Sequence, residues 1–236
     1  MGLLSTILAP SCATCEARCP DQAAFCALCD ATAYRLRQPA CSRCQQPMAS
    51  APGAHSSPTE CSACRRRPPR FERAYALFEY SHSVADAIRR IKYGRDLTAL
   101  RALCRALGPW LMERLRSAPR PPHIIPIPPH PRSLRRRGFH LPTLLLRWSL
   151  ARPHRSLITH GLRKTRLTKK QASLPLAQRP ANIRDAFHPT KALPEAGPIV
   201  LFDDVLTSGA TLNSAADALR SHGHRAIEAW TLARAP

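Results

Sequence analysis

Acidic residues are scarce in this chain. Its 236 residues hold 15 Asp and Glu against 36 Lys and Arg, a formal net charge of +21. That excess is too large for a solvated surface alone and favours a polyanionic partner, either nucleic acid or anionic lipid. Aromatic residues are also few, at 6%, so base stacking would fall to a handful of positions. One of them, Phe139, lies beside an arginine run and reads equally as a stacking residue or as core. No stretch of about eighteen apolar residues occurs, and no membrane span is expected. The opening MGLLSTILAPSC is apolar but short and lacks a basic leader, so no secretory signal is read there. The expected compartment is the cytoplasm. Neither G-x-x-x-x-G-K-[ST] nor G-x-G-x-x-G is present, which excludes a P-loop and a dinucleotide fingerprint. The ten histidines form no H-x-x-x-H or H-E-x-x-H pattern, so no catalytic metal centre is implied. Ser208 has no G-x-S-x-G context and is not read as a nucleophile.

What the chain does have is cysteine. Ten occur, nine of them before residue 65, and eight form four C-x-x-C pairs: Cys12/Cys15, Cys26/Cys29, Cys41/Cys44 and Cys61/Cys64. In a reducing compartment disulfides are not expected. Tetrahedral zinc wants four thiolates, and two C-x-x-C turns supply them. Consecutive pairing gives two Zn2+ ions, one on Cys12, Cys15, Cys26 and Cys29 and one on Cys41, Cys44, Cys61 and Cys64; interleaved pairing is the alternative. Closed four-cysteine sites are structural. The segment from 12 to 64 is poor in long apolar runs, so metal must supply its folding energy. Cys19 reads as a spare surface thiol, and Cys104, on the apolar face of a helix, as core.

A basic joint, RRRPPR at 65–70, separates this part from the remainder. The boundaries implied are a double zinc ribbon over 1–70 and an α/β domain over 71–236. FERAYALFEY (71–80) reads as a strand and VADAIRRIKY (84–93) as a short helix stopped by Gly94. Asp96 is a plausible N-cap for a longer helix carrying Leu97, Leu100, Cys104, Leu107, Leu111 and Leu115. HIIPIP (123–128) predicts a strand followed by a basic loop, then a helix near 141–151. IVLF is a buried strand, residues 211–223 a helix capped by Gly223, and AIEAWTLA (226–233) a final strand. Alternating strand and helix predicts a parallel α/β sheet with flanking helices.

Within IVLFDDVLTSGATL (199–212) two adjacent acids stand between a strand and a loop of small residues. In open α/β sheets the loop after a strand lies at the carboxyl edge, where ligands bind. The following helix offers backbone N–H groups and a partial positive charge, and Thr207, Ser208, Gly209, Ala210 and Thr211 let a phosphate approach them. Carboxylates do not bind phosphate; they accept from hydroxyls or hold a divalent cation. A ribose 5-phosphate satisfies both halves, with Asp203 and Asp204 on the diol. In an empty pocket the two acids are expected to repel each other and to lower stability.

The stretch resembles the PRPP-binding motif of type I phosphoribosyltransferases, in which two acids follow an apolar strand and precede a T-[ST]-G-x-[ST] loop. Beyond it, IPIPPHPRSLRRRGFH (125–140) is similar to the P-x-P…R-x-R-G-F-N segment of the ComF family of competence proteins. KTRLTKKQASLPLAQRPANIRDAF (164–187) is similar to that family's R-x-R-x-T-x-x-Q…R-x-x-N…A-F segment, with Thr168, Gln171, Arg179, Asn182 and Phe187 in its places. The cysteine pairs resemble its double zinc ribbon. His140 stands where the family usually has Asn, and Lys164 where it often has Arg. The resemblance implies a phosphoribosyltransferase-like fold and the handling of incoming single-stranded DNA in natural transformation. It also implies PRPP, with Mg2+, as a ligand. Arg135, Arg136 and Arg137 would hold pyrophosphate, and a covering segment with Arg163, Lys164, Arg166, Lys169 and Lys170 would close over it; the same cations suit DNA phosphates. An active transferase with an undefined acceptor, or an adaptor for other DNA-uptake proteins, are the rival roles.

Overall fold

A computed structural model describes residues 10–19, 23–33, 39–48, 60–168, 175 and 178–235. The opening segment before residue 10, and Lys169, Lys170 and Gln171, lie outside the described residues. Two short helices, α1 (Ala27–Asp30) and α2 (Ser62–Arg66), belong to the cysteine-rich part. There follow β1 (Arg73–Glu79), α3 (His82–Gly94), α4 (Leu97–Ser117), β2 (His123–Pro126), α5 (Pro131–Arg137) and α6 (Leu141–Ser149). After a 3-10 turn at Arg152–Leu157 come β3 (Leu162–Lys164), α7 (Arg179–Ile183), β4 (Phe187–Pro189), β5 (Ile199–Leu206), α8 (Ala210–Arg220) and β6 (Ile227–Arg234).

The main sheet has the order β1-β6-β5-β2, and each of its pairings is parallel. β5 and β6 are the central strands, which is why IVLF and IEAWTLAR are buried on both faces. On one face Phe78, Phe202 and Trp230 pack with Ile88 of α3, Leu107 of α4 and Leu145 of α6. On the other, Ile125 and Leu201 pack with Leu212 and Ala216 of α8. That second core also takes Leu162 and Phe187 from the small antiparallel β3–β4 pair. This pair was not legible as strands in the sequence, because three-residue strands carry no periodicity.

Several local expectations need correction. Residues 131–137, expected as loop, form α5: Pro131 sits in the first turn and the His130 ring accepts from the Arg132 N–H. Gly94 is the last residue of α3, and Arg95 takes the left-handed conformation, φ 54°. Leu97 is 53% exposed, since the first residue after the cap points outward. The Asp96 cap itself is present, its Oδ1 accepting from Ala99 N–H at 2.9 Å. Cys104 is buried as expected, but Cys19 is buried too, at 8% exposure. It lies in the core beneath the first cysteine lobe, where burial pushes its thiol up to about 11.

The two cysteine lobes are copies of one unit. Ser11 bridges Arg18, and Ala40 bridges Pro47. Glu16 and Gln45, each four residues after the first cysteine, have φ 63° and 59°. Cys26 and Cys61 are both helix N-caps with nearly the same dihedrals. The copies dock differently. The first buries Cys12, Ala13, Phe25 and Ala33 against α3 and α4, with Phe25 edge-on to Phe78 at 5.7 Å. Arg105 of α4 donates to Ser11 O and Ala23 O. Arg90 of α3 donates to Thr14 O and pairs with Glu16. The second copy lies on the sheet's edge, where Ala74 N–H of β1 donates to Arg43 O and Arg234 Nε of β6 to Cys44 O.

Arg105 is half-buried and serves two lobe carbonyls, so its removal leaves both acceptors without that cation. Hydrogen bonds to charged groups contribute about 1.5–3 kcal/mol. Arg105→Ala should lower unfolding free energy by about that much in a urea titration and open residues 10–33 to protease. An unchanged denaturation midpoint would contradict this docking role.

Candidate functional site

The acid pair lies within β5, followed by Thr207, Ser208 and Gly209 and then by the eleven-residue α8. Gly209 is the N-cap, with φ 74° and no side chain to cap the helix. A Cβ there would find only ordinary contacts, the nearest being Leu206 Cδ1 at 3.6 Å. It is therefore the left-handed backbone, not crowding, that demands glycine. Asp203 and residues 205–212 line a hollow with a cavity volume of about 20 Å3. That is room for the tip of an anionic group, not for a whole nucleotide.

The two acids have different surroundings, although their side chains are close enough to interact directly. Asp204 is buried and its carboxylate meets the ammonium of Lys92, from the last turn of α3. Burial alone would raise the Asp204 pKa, but the Lys92 charge overrides it and holds it below the ordinary carboxylate range. The same pairing raises Lys92 against its own burial. Asp203 is pushed well up, first by burial and then by the Asp204 charge. Its Oδ1 accepts from Asp204 N–H at 2.8 Å. The expected mutual repulsion is therefore met by Lys92, a residue to which the sequence reading gave no role. Its helix was visible, but a single Lys on a basic helix carries no signal of its distant partner.

The sequence-predicted cations divide. Lys164, at the end of β3, is close enough to Asp203 to feel its charge; burial lowers its pKa against that attraction, and its Nζ donates to Thr168 Oγ1 at 2.7 Å. Arg137 is half-buried and contributes to the low pKa of Asp204. Arg135, Arg136 and Arg163 are exposed. Arg166 is turned away to the end of α7, where it donates to Asn182 O at 3.0 Å and to Arg184 O. Arg179 of α7 donates to Thr207 Oγ1 at 3.1 Å and thereby fixes the start of the loop.

His140 has an architectural role. Its Nε2 is 2.8 Å from Ile127 O, which only accepts, so Nε2 carries the proton and Nδ1 accepts from Thr143 Oγ1 at 2.7 Å. The ring joins the two ends of the α5 segment. Burial drives its pKa down to about 4, so it is neutral and supplies no charge to the pocket.

The cysteine clusters are those of consecutive pairing: Cys12, Cys15, Cys26 and Cys29, and Cys41, Cys44, Cys61 and Cys64, with each set's sulfurs within 4.8 Å of one another. Cys15 Sγ is 3.6 Å from Cys26 Sγ and 3.7 Å from Cys29 Sγ, and Cys44 Sγ is 3.7 Å from Cys61 Sγ. A metal–sulfur bond of about 2.3 Å gives a tetrahedron edge of about 3.8 Å, so the donor sets fit such an ion. Thr14 N–H donates to Cys12 Sγ and Cys61 N–H to Cys41 Sγ. Burial would raise Cys12, but backbone donors hold its thiol down at about 6, the thiolate a metal needs.

A mostly parallel four-stranded sheet with flanking helices, carrying two four-cysteine lobes, defines an α/β protein with zinc-ribbon-like modules. No family model matches the chain. It is 30% identical to DNA utilization protein YhgH of Escherichia coli O6:H1 over 195 residues, 80% of this chain and 83% of that protein. It is 29% identical to YhgH of Salmonella typhi, over 89% of this chain and 90% of that one. Competence protein F of Haemophilus influenzae is 28% identical, over 89% of this chain and 96% of its own length. The chain belongs to the ComF family. Among the described residues no helix is long and apolar enough to cross a membrane.

Breaking a buried ion pair by removing one partner costs about 3–5 kcal/mol, because the other charge is left buried. Lys92→Met should therefore destabilise the fold by about that amount, while Lys92→Met with Asp204→Leu should recover most of it. The pair's contribution is present above the unfolded carboxylate pKa and is lost as pH falls through the depressed Asp204 value. Urea midpoints across pH check this; equal losses in the single and double variants would remove the pair from the account.

Proposed function

We propose that the β5–α8 pocket binds a ribose-phosphate ligand of the PRPP kind, in a cytoplasmic protein that handles single-stranded DNA during DNA uptake. The observation that carries the pocket reading is the hollow bounded by Asp203 and residues 205–212, at the N-terminus of an eleven-residue helix. The phosphate would sit on the 207–211 backbone, where the helix dipole and N–H groups favour an anion. Asp203 and Asp204 would accept from the ribose diol, or hold a Mg2+ that accompanies the ligand. Lys164 and Arg137 flank the acids and suit a pyrophosphate group; Arg135, Arg136 and Arg163 extend the same positive field outward. The relatives are named for DNA utilization and competence, and the +21 charge is of the kind a nucleic-acid partner requires.

Burial and the Asp204 charge raise the Asp203 pKa, and accepting two hydroxyls or holding a cation favours its carboxylate form. Ligand binding should release a proton, and affinity should rise with pH. Millimolar PRPP with Mg2+ should raise the thermal midpoint, since a ligand present at about 100 times Kd adds about 2.7 kcal/mol. Asp203→Asn should abolish that shift and leave Lys92–Asp204 in place. Gly209→Val should abolish it too, at a cost from the strained turn. Absence of any thermal response in the wild-type protein would defeat the pocket reading.

The two cysteine sets are proposed to hold structural Zn2+. Metal analysis should find about two zinc ions per chain and about one in Cys41→Ser. Stripping the metal should release the lobes and raise protease sensitivity in α3 and α4, on which the first lobe packs. A metal-free protein with unchanged circular dichroism and protease resistance would refute the structural role.

A further inference from the structure

A second concave site lies at the β1 edge of the sheet, two strands from the acid pair. It is a groove of about 650 Å3 between β1, α4 and the second cysteine lobe, reached by Gln45, Tyr75, Trp110, Glu113, Arg114 and Arg116. Its volume is within the range of sites that bury small organic groups.

The composition of this groove is unlike that of the chain. The whole sequence has three Trp and four Tyr; Trp110 and Tyr75 line the groove, with buried Trp230 behind them. Tyr75 of β1 is the register partner of Trp230 in β6, and Trp110 of α4 packs edge-on to Trp230 at 6.0 Å and 75°. Trp230 is fully buried and its indole N–H donates to Glu228 at 2.8 Å. It thus forms a fixed base that holds Trp110 and Tyr75, both half-exposed, in place. Arg114 lies over the Tyr75 ring, 4.3 Å from its centroid, and Arg73 donates to the Tyr75 hydroxyl at 3.3 Å. Arg116 is exposed at the rim, its Nε on Met112 O at 3.2 Å. Glu113 is the one carboxylate among the lining residues, against two arginines.

Rigid aromatic faces flanked by arginines are what unpaired bases and their phosphates require. Each base has a π-face to stack, each phosphate needs a cation, and neither demand depends on sequence. Duplex DNA hides its base faces and gains nothing from the aromatic floor. We propose that this groove is the seat of single-stranded nucleic acid, with Trp110 and the Arg114–Tyr75 stack against bases and Arg114, Arg116 and Arg73 on phosphates. The proposal rests on the DNA-handling reading and places the strand apart from the ribose-phosphate pocket and from Arg135–Arg137.

The test is anisotropy of a labelled oligothymidylate of about 16 nucleotides, titrated at several salt concentrations, with a duplex of equal length alongside. Arg114→Ala with Arg116→Ala removes one half-buried and one exposed cation and no residue of the fully buried core. It should weaken single-strand binding at least about tenfold and flatten the logarithmic salt slope by about 1.4, since each lost contact on a single strand removes about 0.7. Trp110→Leu should weaken binding and remove the quenching of tryptophan fluorescence by DNA; Trp110→Phe should keep most of the affinity, and Trp148→Phe should keep the quenching. The thermal response to PRPP should survive in the arginine variant. Full affinity in that variant, with loss instead in Arg135→Ala, Arg136→Ala, Arg137→Ala, would overturn the groove and leave the DNA reading standing. Equal affinity for the duplex would overturn stacking. No binding of either form by the wild-type protein would end both.

Discussion

The ion pair of Lys92 and Asp204 ties the α3 helix to the central strand of the sheet. Two carboxylates side by side in a buried strand are untenable without a cation. Lys92 supplies it for Asp204, while burial and the Asp204 charge raise the pKa of the remaining acid, Asp203. The pair thus shifts two chemically identical side chains in opposite directions.

The same helix reaches the other way. Arg90, two residues before Lys92, grips Thr14 O and Glu16 of the first cysteine lobe and also pairs with Asp96, the cap of α4. α3 is therefore a strut between the first four-cysteine lobe and the acid pair. This explains why the first lobe is welded into the main core through Phe25 and Ala33 while its copy only covers the sheet's edge. A segment poor in apolar residues gains burial by lying on a helix pair that already has an apolar face.

Some features were plain in the residues because they depend on neighbours in sequence. The cysteine spacing made two four-thiolate sets available, IVLF read as a buried strand and AIEAWTLA as the final strand. Asp96 read as a cap because a cap acts within one turn. The stretch DDVLTSGAT pointed to a phosphate-and-hydroxyl ligand because a strand, a loop of small residues and a helix start are contiguous there. The α5 helix and the β3–β4 pair were missed. Both are too short to show a period, and α5 is stabilised by its own proline and by the His140 bridge to Ile127.

Sequence alone determined the α/β class and the eight paired cysteines that could hold metal ions, since each is a local pattern. Tertiary structure decided which charges meet. It chose Lys92 from 36 basic residues as the partner of Asp204 and consecutive over interleaved cysteine pairing. It buried Cys19 under a lobe and turned Arg166 away from the pocket while bringing Lys164 toward Asp203. It also gathered Tyr75, Trp110 and Trp230 at one face, although they come from three elements. A charge or a ring acts through space, and its partner is fixed only once the sheet order places distant strands and helices side by side.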